Sequence, residues 1–183
     1  MTYHTRKVVS LLAATALVGL FFLCAVLQTP PALAAIRQLE EAPGQIVYQA
    51  RQTVPDQQGD RWQLIAFNRV RPNGQTSFYL RLVGFPGKAE IDRSRSLLLT
   101  SSLGQRLTAQ EASSQIFTDA AAAAPNIGQY DLKPIVSQLA AAVPLQLTLP
   151  TLNQDDVLLT LTPAYIQEWK TVAAYEPLFL PPE

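Results

Sequence analysis

The residue types that most often carry enzymatic chemistry sit at one end of this sequence. Its one histidine is His4 and its one cysteine is Cys24, in a chain of 183 residues. Both fall in a segment that reads as an export leader, so the chain beyond it holds neither an imidazole nor a thiol. Zinc, copper and haem centres depend heavily on those ligands. Serine triads and cysteine nucleophiles need an imidazole or a thiolate. A Ser-x-x-Lys dyad is missing too: three residues before Lys88, Lys133 and Lys170 stand Phe85, Tyr130 and Gln167. No glycine loop of the phosphate-cradling kind occurs. The sequence therefore predicts no catalytic residue, no metal ligand set and no cofactor.

Carboxylates remain. Asp155-Asp156 could contribute to a calcium site, but a single pair reads better as a polar hairpin turn. Glu40-Glu41 lies near a chain end and Glu168 stands beside Trp169. Paired acids can run general acid–base chemistry, yet nothing in the spacing sets two of them around a cleft.

Arginine is unevenly spread. Arg61, Arg69, Arg71, Arg81, Arg93, Arg95 and Arg106 all fall in mid-chain, with Lys88 among them. One reading is a basic patch beside Trp62 and Tyr79 that docks an acidic partner. The competing reading is a solvated strand edge, where charge deters sheet-to-sheet association. Phe85-Pro86 and Tyr130-Asp131 are aromatics at loop starts, either anchors for a partner or plugs at the ends of a sheet. The predicted partner-binding surface is thus Trp62, Arg69, Arg71, Tyr79, Arg81, Phe85, Pro86, Tyr130 and Asp131.

The amino terminus carries Arg6-Lys7, then an apolar run from Val8 to Leu27, then Pro30-Pro31 and Ala32-Leu33-Ala34. Basic, apolar and small-residue zones in that order make a secretory signal, with cleavage between Ala34 and Ala35. The alternative is an uncleaved anchor, since about 20 apolar residues in a helix reach roughly 30 Å; the domain lies outside in either case. Leu23 argues against a lipid anchor at Cys24, and Arg6-Lys7 is not a twin-arginine pair. Cleavage leaves 149 of the 183 residues and no membrane span. Two of the 14 basic residues leave with the leader, so 12 face 14 acidic ones. A net charge of −2 supplies no strong field for nucleic acid or anionic lipid. The organisation expected is a leader at 1–34, one β-rich domain at 35–175 and a loose tail at 176–183.

Within that domain, Gln45 to Val54, Asp60 to Val70 and Thr76 to Phe85 read as three strands of a meander. Asn73-Gly74 favours a two-residue type I′ turn. That register opposes Arg69 to Phe78, Phe67 to Leu80 and Ile65 to Leu82, on one side with Val47. Trp62, Leu64, Ala66, Tyr79, Val83 and Phe85 then share the other side with Ile46 and Tyr48. Both faces are substantially apolar, which predicts cover on both sides. Further strands are expected at Leu97 to Ser101, Gln105 to Thr108, Leu145 to Leu149 and Val157 to Leu161. Thr108-x-x-Glu111 resembles a capping box for a helix over 109–115. Asp131 suits the cap of a helical turn reaching Leu139. Thr162-Pro163 opens a last helix with Tyr165, Trp169 and Val172 on one stripe. The segments at 35–44 and 120–128 read as a lead-in and a loop. The fold class is mainly β, a β-rich α+β protein: an antiparallel sandwich or curled sheet of about seven strands with two or three short helices.

Four runs carry a resemblance: Leu82-Val83-Gly84-Phe85-Pro86-Gly87, Gln115-Ile116-Phe117-Thr118-Asp119, Gly128-Gln129-Tyr130-Asp131-Leu132-Lys133-Pro134 and Gln167-Glu168-Trp169. In this order after an export signal, they resemble a cyanobacterial family of short exported proteins, domain of unknown function 3122. The resemblance spans about Ile36 to Val172. It brings no active site, and it implies a host with two export destinations, the periplasm and the thylakoid lumen. The function expected is a non-enzymatic binding or accessory module with a protein partner, plausibly a photosynthetic membrane complex. A carrier of a lipid, pigment or other apolar small molecule is the alternative. The leader reading predicts that intact-mass analysis of protein from its native host gives a chain starting at Ala35. The full 183-residue mass would overturn it.

Overall fold

The structure is a computed structural model describing residues 36–116, 124–152 and 155–176. The expected leader, most of the alanine run after Asp119 and the tail beyond Glu176 lie outside the described residues. The described residues form nine strands: β1 (Arg37–Ala42), β2 (Gln45–Pro55), β3 (Arg61–Val70), β4 (Thr76–Val83), β5 (Leu97–Ser101), β6 (Arg106–Glu111), β7 (Ile127–Asp131), β8 (Leu145–Leu149) and β9 (Val157–Leu161). One α-helix follows, α1 (Pro163–Ala173). The strands make a single antiparallel sheet in the order β1-β2-β3-β4-β7-β6-β5-β8-β9. The protein is mainly β, as its turn-rich sequence predicts.

The sheet curls until its last strand returns to β2. Asp56, just past β2, forms an antiparallel bridge with Leu159 of β9. The Gln57 side-chain amide extends this seam. Its Nε2 donates to the Asp156 carbonyl at 3.1 Å, and its Oε1 accepts from the Leu158 amide at 2.8 Å. Asp56 itself holds the turn before β3, accepting from the amides of Gln58 and Asp60 and from Trp62 Nε1 at 2.8, 2.9 and 3.0 Å.

One apolar core fills the inside of the curl. Leu64, Ala66, Leu80 and Leu82 meet Leu97, Leu99, Leu147, Leu149 and Leu159 there, together with Trp62 and Tyr130. The α1 stripe of Ile166, Trp169 and Val172 closes it. Two polar residues on the otherwise apolar inner faces are used by the helix. Gln52 accepts from Trp169 Nε1 at 3.0 Å and donates to Glu168 Oε2 at 2.5 Å. Asn68 Nδ2 donates to the carbonyls of Ala173 and Tyr175 at 3.3 and 2.8 Å, receiving the end of α1. Both Gln52 polar atoms are paired in this way, as buried polar groups usually are, and Asn68 is paired through its Nδ2. Tyr48 stacks on Tyr175 with ring centroids 4.4 Å apart.

The β3–β4 hairpin differs from the two-residue turn expected. Arg71 N donates to Gln75 O and Gly74 N to Arg71 O, each at 2.9 Å, so the loop is Pro72-Asn73-Gly74. Gly74 adopts φ +79, which glycine reaches without strain. This is the type I turn with a left-handed third residue, a common three-residue hairpin. Val70 pairs with Thr76, Phe67 with Tyr79 and Ile65 with Arg81. One extra loop residue slips the register by one and exchanges the two faces of β4. The expected partners of β3 were wrong for that reason.

Other expectations change as well. The lead-in forms β1, paired with β2 and bulged between Glu40 and Ala42. Thr108 to Glu111 stay extended, because Thr108 pairs with Leu98 and Glu111 with Tyr130; only a 3-10 turn at Ser113–Gln115 follows. Part of the expected 120–128 loop becomes β7, paired with β4. Asp131 receives the Lys133 amide at 2.9 Å, but the segment after it holds only a 3-10 turn at Val136–Gln138. Pro163 does open α1, although Thr162 makes no side-chain cap.

Gly84 marks the closest backbone approach to the core. A Cβ there would lie 2.7 Å from Cη2 and 2.8 Å from Cζ3 of the buried Trp62 ring. Gly84→Ala is expected to lower stability by about 1–3 kcal/mol through overpacking, read as a lower urea midpoint. An unchanged midpoint would show that the ring can move aside.

Candidate functional site

The outer side of β2, β3, β4 and β7 is a lattice of cross-strand rows. One row runs Val47, Arg69, Ser77; the next Arg37, Gln49, Phe67, Tyr79, Asp131; the third Arg51, Ile65, Arg81, Gln129. A second apolar cluster of Val47, Ile65, Phe67 and Tyr79 lies here, distinct from the main core. Phe67 is only 4% exposed, although it faces away from the interior. Long side chains help to cover it. The Arg81 guanidinium stands 5.3 Å from the Phe67 ring centroid and that of Arg69 5.6 Å. Each such contact contributes on the order of 0.5–1 kcal/mol at an exposed site. Ala112 packs on the cluster, and the Tyr79 hydroxyl donates to Gln115 Oε1 at 3.3 Å. The expected cover on both faces is therefore present, in part made of guanidinium groups.

The β1 bulge delivers a carboxylate to this face. Glu41 reaches past β2 and accepts from Arg69 Nε at 2.8 Å and Nη2 at 3.3 Å. Gln45 Nε2 also donates to it, at 2.9 Å. Burial pushes the Glu41 carboxyl up, but the hydrogen bond and charge of Arg69 more than reverse this, leaving it below the usual glutamate value. Arg81 is half-buried and meets a neutral acceptor: Gln129 Oε1, at 3.3 Å from Nε and 3.0 Å from Nη2. Burial lowers the Arg81 pKa, the Arg69 charge adds to this, Glu41 opposes it and Arg51 adds a smaller push. The guanidinium stays charged at any ordinary pH.

Arg69, Tyr79, Arg81 and Asp131, expected at a partner surface, are thus brought together. Arg71 is half-buried at the hairpin turn, and Phe85 and Pro86 project from the loop after β4, Phe85 at 67% exposure. Trp62 and Tyr130 are corrections. Trp62 belongs to the inner face with Leu64 and Ala66, and the hairpin slip separates it from Tyr79. Tyr130 is fully buried in the core, where burial pushes its hydroxyl pKa well up, with the Glu111 charge adding to it. Arg51 was not singled out from sequence, and Glu41 and Phe67 were read there only as a chain-end acid and a sheet-face residue. The alternation Val47, Gln49, Arg51 along β2 carried the signal for Arg51.

Among the described residues, no group of three or more His, Cys, Asp or Glu could hold a metal ion. Among them, no helix is long and apolar enough to cross a membrane. A family model described as Protein of unknown function (DUF3122) matches residues 34–172. The chain belongs to this family. The DUF3122 span takes in all nine strands and the lattice just described. No curated protein and no solved structure matches the chain significantly.

The Glu41–Arg69 pair gives this DUF3122 chain a defined pH response. A carboxyl held below its usual 4.5 contributes stability that is complete above 4.5 and is lost as pH falls through the lower folded-state value. As an exposed pair it is worth about 0.5 kcal/mol. Arg69→Gln is expected to move the Glu41 pKa upward, followed by its side-chain carboxyl resonance in a pH titration. An unmoved resonance would remove Arg69 as the cause.

Proposed function

We propose that the protein is a non-enzymatic binding or accessory module, exported to the thylakoid lumen or periplasm, that associates with a membrane protein complex through the outer face of β2, β3, β4 and β7. The observation that carries this reading is the pairing of half-buried guanidinium groups with an apolar, aromatic floor on one sheet face. Arginine and aromatic side chains are the types that interfaces favour, and the outer face of a curled sheet suits a protein more than a small molecule. The leader ending at Ala34 supports export. The absence of histidine and cysteine beyond that leader supports binding over catalysis. A photosynthetic complex is the partner that the cyanobacterial resemblance favours.

A carrier role would require an open pocket. The inside of the curl is filled by Trp62, Trp169, Tyr130 and, among the described residues, ten fully buried leucines. Recognition at the surface is the better supported reading.

Affinity capture of the tagged protein from native membranes, under gentle crosslinking and with fractionation of the same sample, is expected to recover a membrane protein complex from the exported side. Recovery of the protein alone would overturn the reading. A bound small molecule in native mass spectrometry would return the carrier role.

A further inference from the structure

Three arginines of the lattice, Arg51, Arg69 and Arg81, are not equally provided for. Arg69 has a carboxylate of its own chain, held through two hydrogen bonds by Glu41. Arg81 has the neutral Gln129 amide, and Arg51 has the neutral Gln49 amide, at 3.3 Å from Nε. The salt bridges among the described residues are Glu41–Arg69, Asp60–Lys88 and Asp156–Arg95, and none involves Arg51 or Arg81. Both glutamines are themselves buried. The Gln129 backbone N–H donates to Ser113 Oγ at 2.9 Å and its side-chain Nε2 donates to the Ala112 carbonyl at 3.4 Å, so its acceptor position is set by the fold.

Register places Arg51 and Arg81 on either side of Ile65 in one cross-strand row. Two strand spacings separate their backbones, roughly 10 Å, a span that two arginine side chains can close around one small anion. The Arg69 and Arg51 charges both bear on Arg81, and Glu41, which is engaged by Arg69, offsets them only in part. A partly desolvated cation without an anion is unfavourable, and a carboxylate set between two guanidinium groups would relieve it through charge-assisted hydrogen bonds.

Resting on the surface reading above, we infer that Arg51 and Arg81 form a clamp for a carboxylate of an acidic protein segment. Glu41 on Arg69 is the fold's own example of the same contact. The apolar floor of Val47, Ile65 and Phe67 asks for aliphatic or aromatic side chains alternating with the acids. Glu41 and Asp131 bound the face on two sides and repel a continuous polyanion, which disfavours nucleic acid and an anionic lipid surface. The full chain carries a formal net charge of zero, so the attraction is local to the clamp.

The test uses the full chain and a fluorescent peptide of alternating glutamate and leucine, with anisotropy as readout. Saturable binding is expected. Exchange of the peptide's glutamates for glutamine, and Arg51→Gln with Arg81→Gln in the protein, are each expected to weaken it at least tenfold. Arg106→Gln, on the exposed β6 position, is expected to leave it unchanged. Thermal melts confirm that each variant folds. The reversed pair, Arg51→Glu with Arg81→Glu, is expected to bind a lysine–leucine peptide instead, which keeps the test decisive if the glutamine variant is unstable. The clamp is overturned by absent peptide binding, by a double variant that binds like the native chain, or by tighter binding of phosphatidylglycerol vesicles or a single-stranded oligonucleotide. A double variant that still recovers a membrane complex overturns the clamp and keeps the module. Peptide binding without any recoverable complex does the reverse.

Discussion

A three-residue loop determines which side of the sheet each mid-chain residue occupies. Gly74 at φ +79 lets Arg71 and Gln75 close on each other, and every pair in the β3–β4 ladder follows from that closure. With Val70 against Thr76, the even-numbered residues from Leu64 to Asn68 and from Phe78 to Leu82 face the interior together. The odd-numbered set then puts Arg69 and Arg81 on one outer face, over Phe67. A two-residue loop would send Arg81 inward, against leucines, where an unpaired guanidinium cannot be accommodated. Charge and loop geometry therefore select the same register.

The interior depends on α1 as much as on the strands. Gln52 and Asn68 would be costly on an apolar face if the helix were absent. Gln52 serves Trp169 and Glu168, and Asn68 receives the last carbonyls of the helix. The helix is thus positioned by polar groups at the middle and the C-terminal end of its buried stripe, while Ile166 and Val172 supply apolar contact. Such bonds contribute little net energy each but are expensive to leave unmade, so they specify where the helix sits.

Much of this was legible in the sequence. The long strands β2, β3 and β4 show themselves by alternation, and β8 and β9 by short apolar runs between turn residues. Apolar character on both faces of the meander foretold an outer cluster. What was hidden has identifiable causes. Asn-Gly is compatible with both hairpin lengths, and only the surrounding pairing distinguishes them. β1 is polar and fully exposed, so it lacks any burial pattern. β7 contains Gly128 and lies next to a proline, yet β4 and β6 supply its ladder. Thr108 to Glu111 has the composition of a helix start, and strand pairing overrides it. Arg51 escaped notice because it stands apart in sequence from the mid-chain arginines and joins them only when β2 is laid against β3.

The join between the two ends of the sheet has a different character from the rest. Elsewhere adjoining strands are tied by repeated main-chain pairs. Between β2 and β9 the tie is one bridge at Asp56 and a rotatable amide, that of Gln57. Turning a single side chain undoes two of those links without disturbing any ladder. The curl is fastened there by a latch rather than a weld, with the shared apolar core behind it.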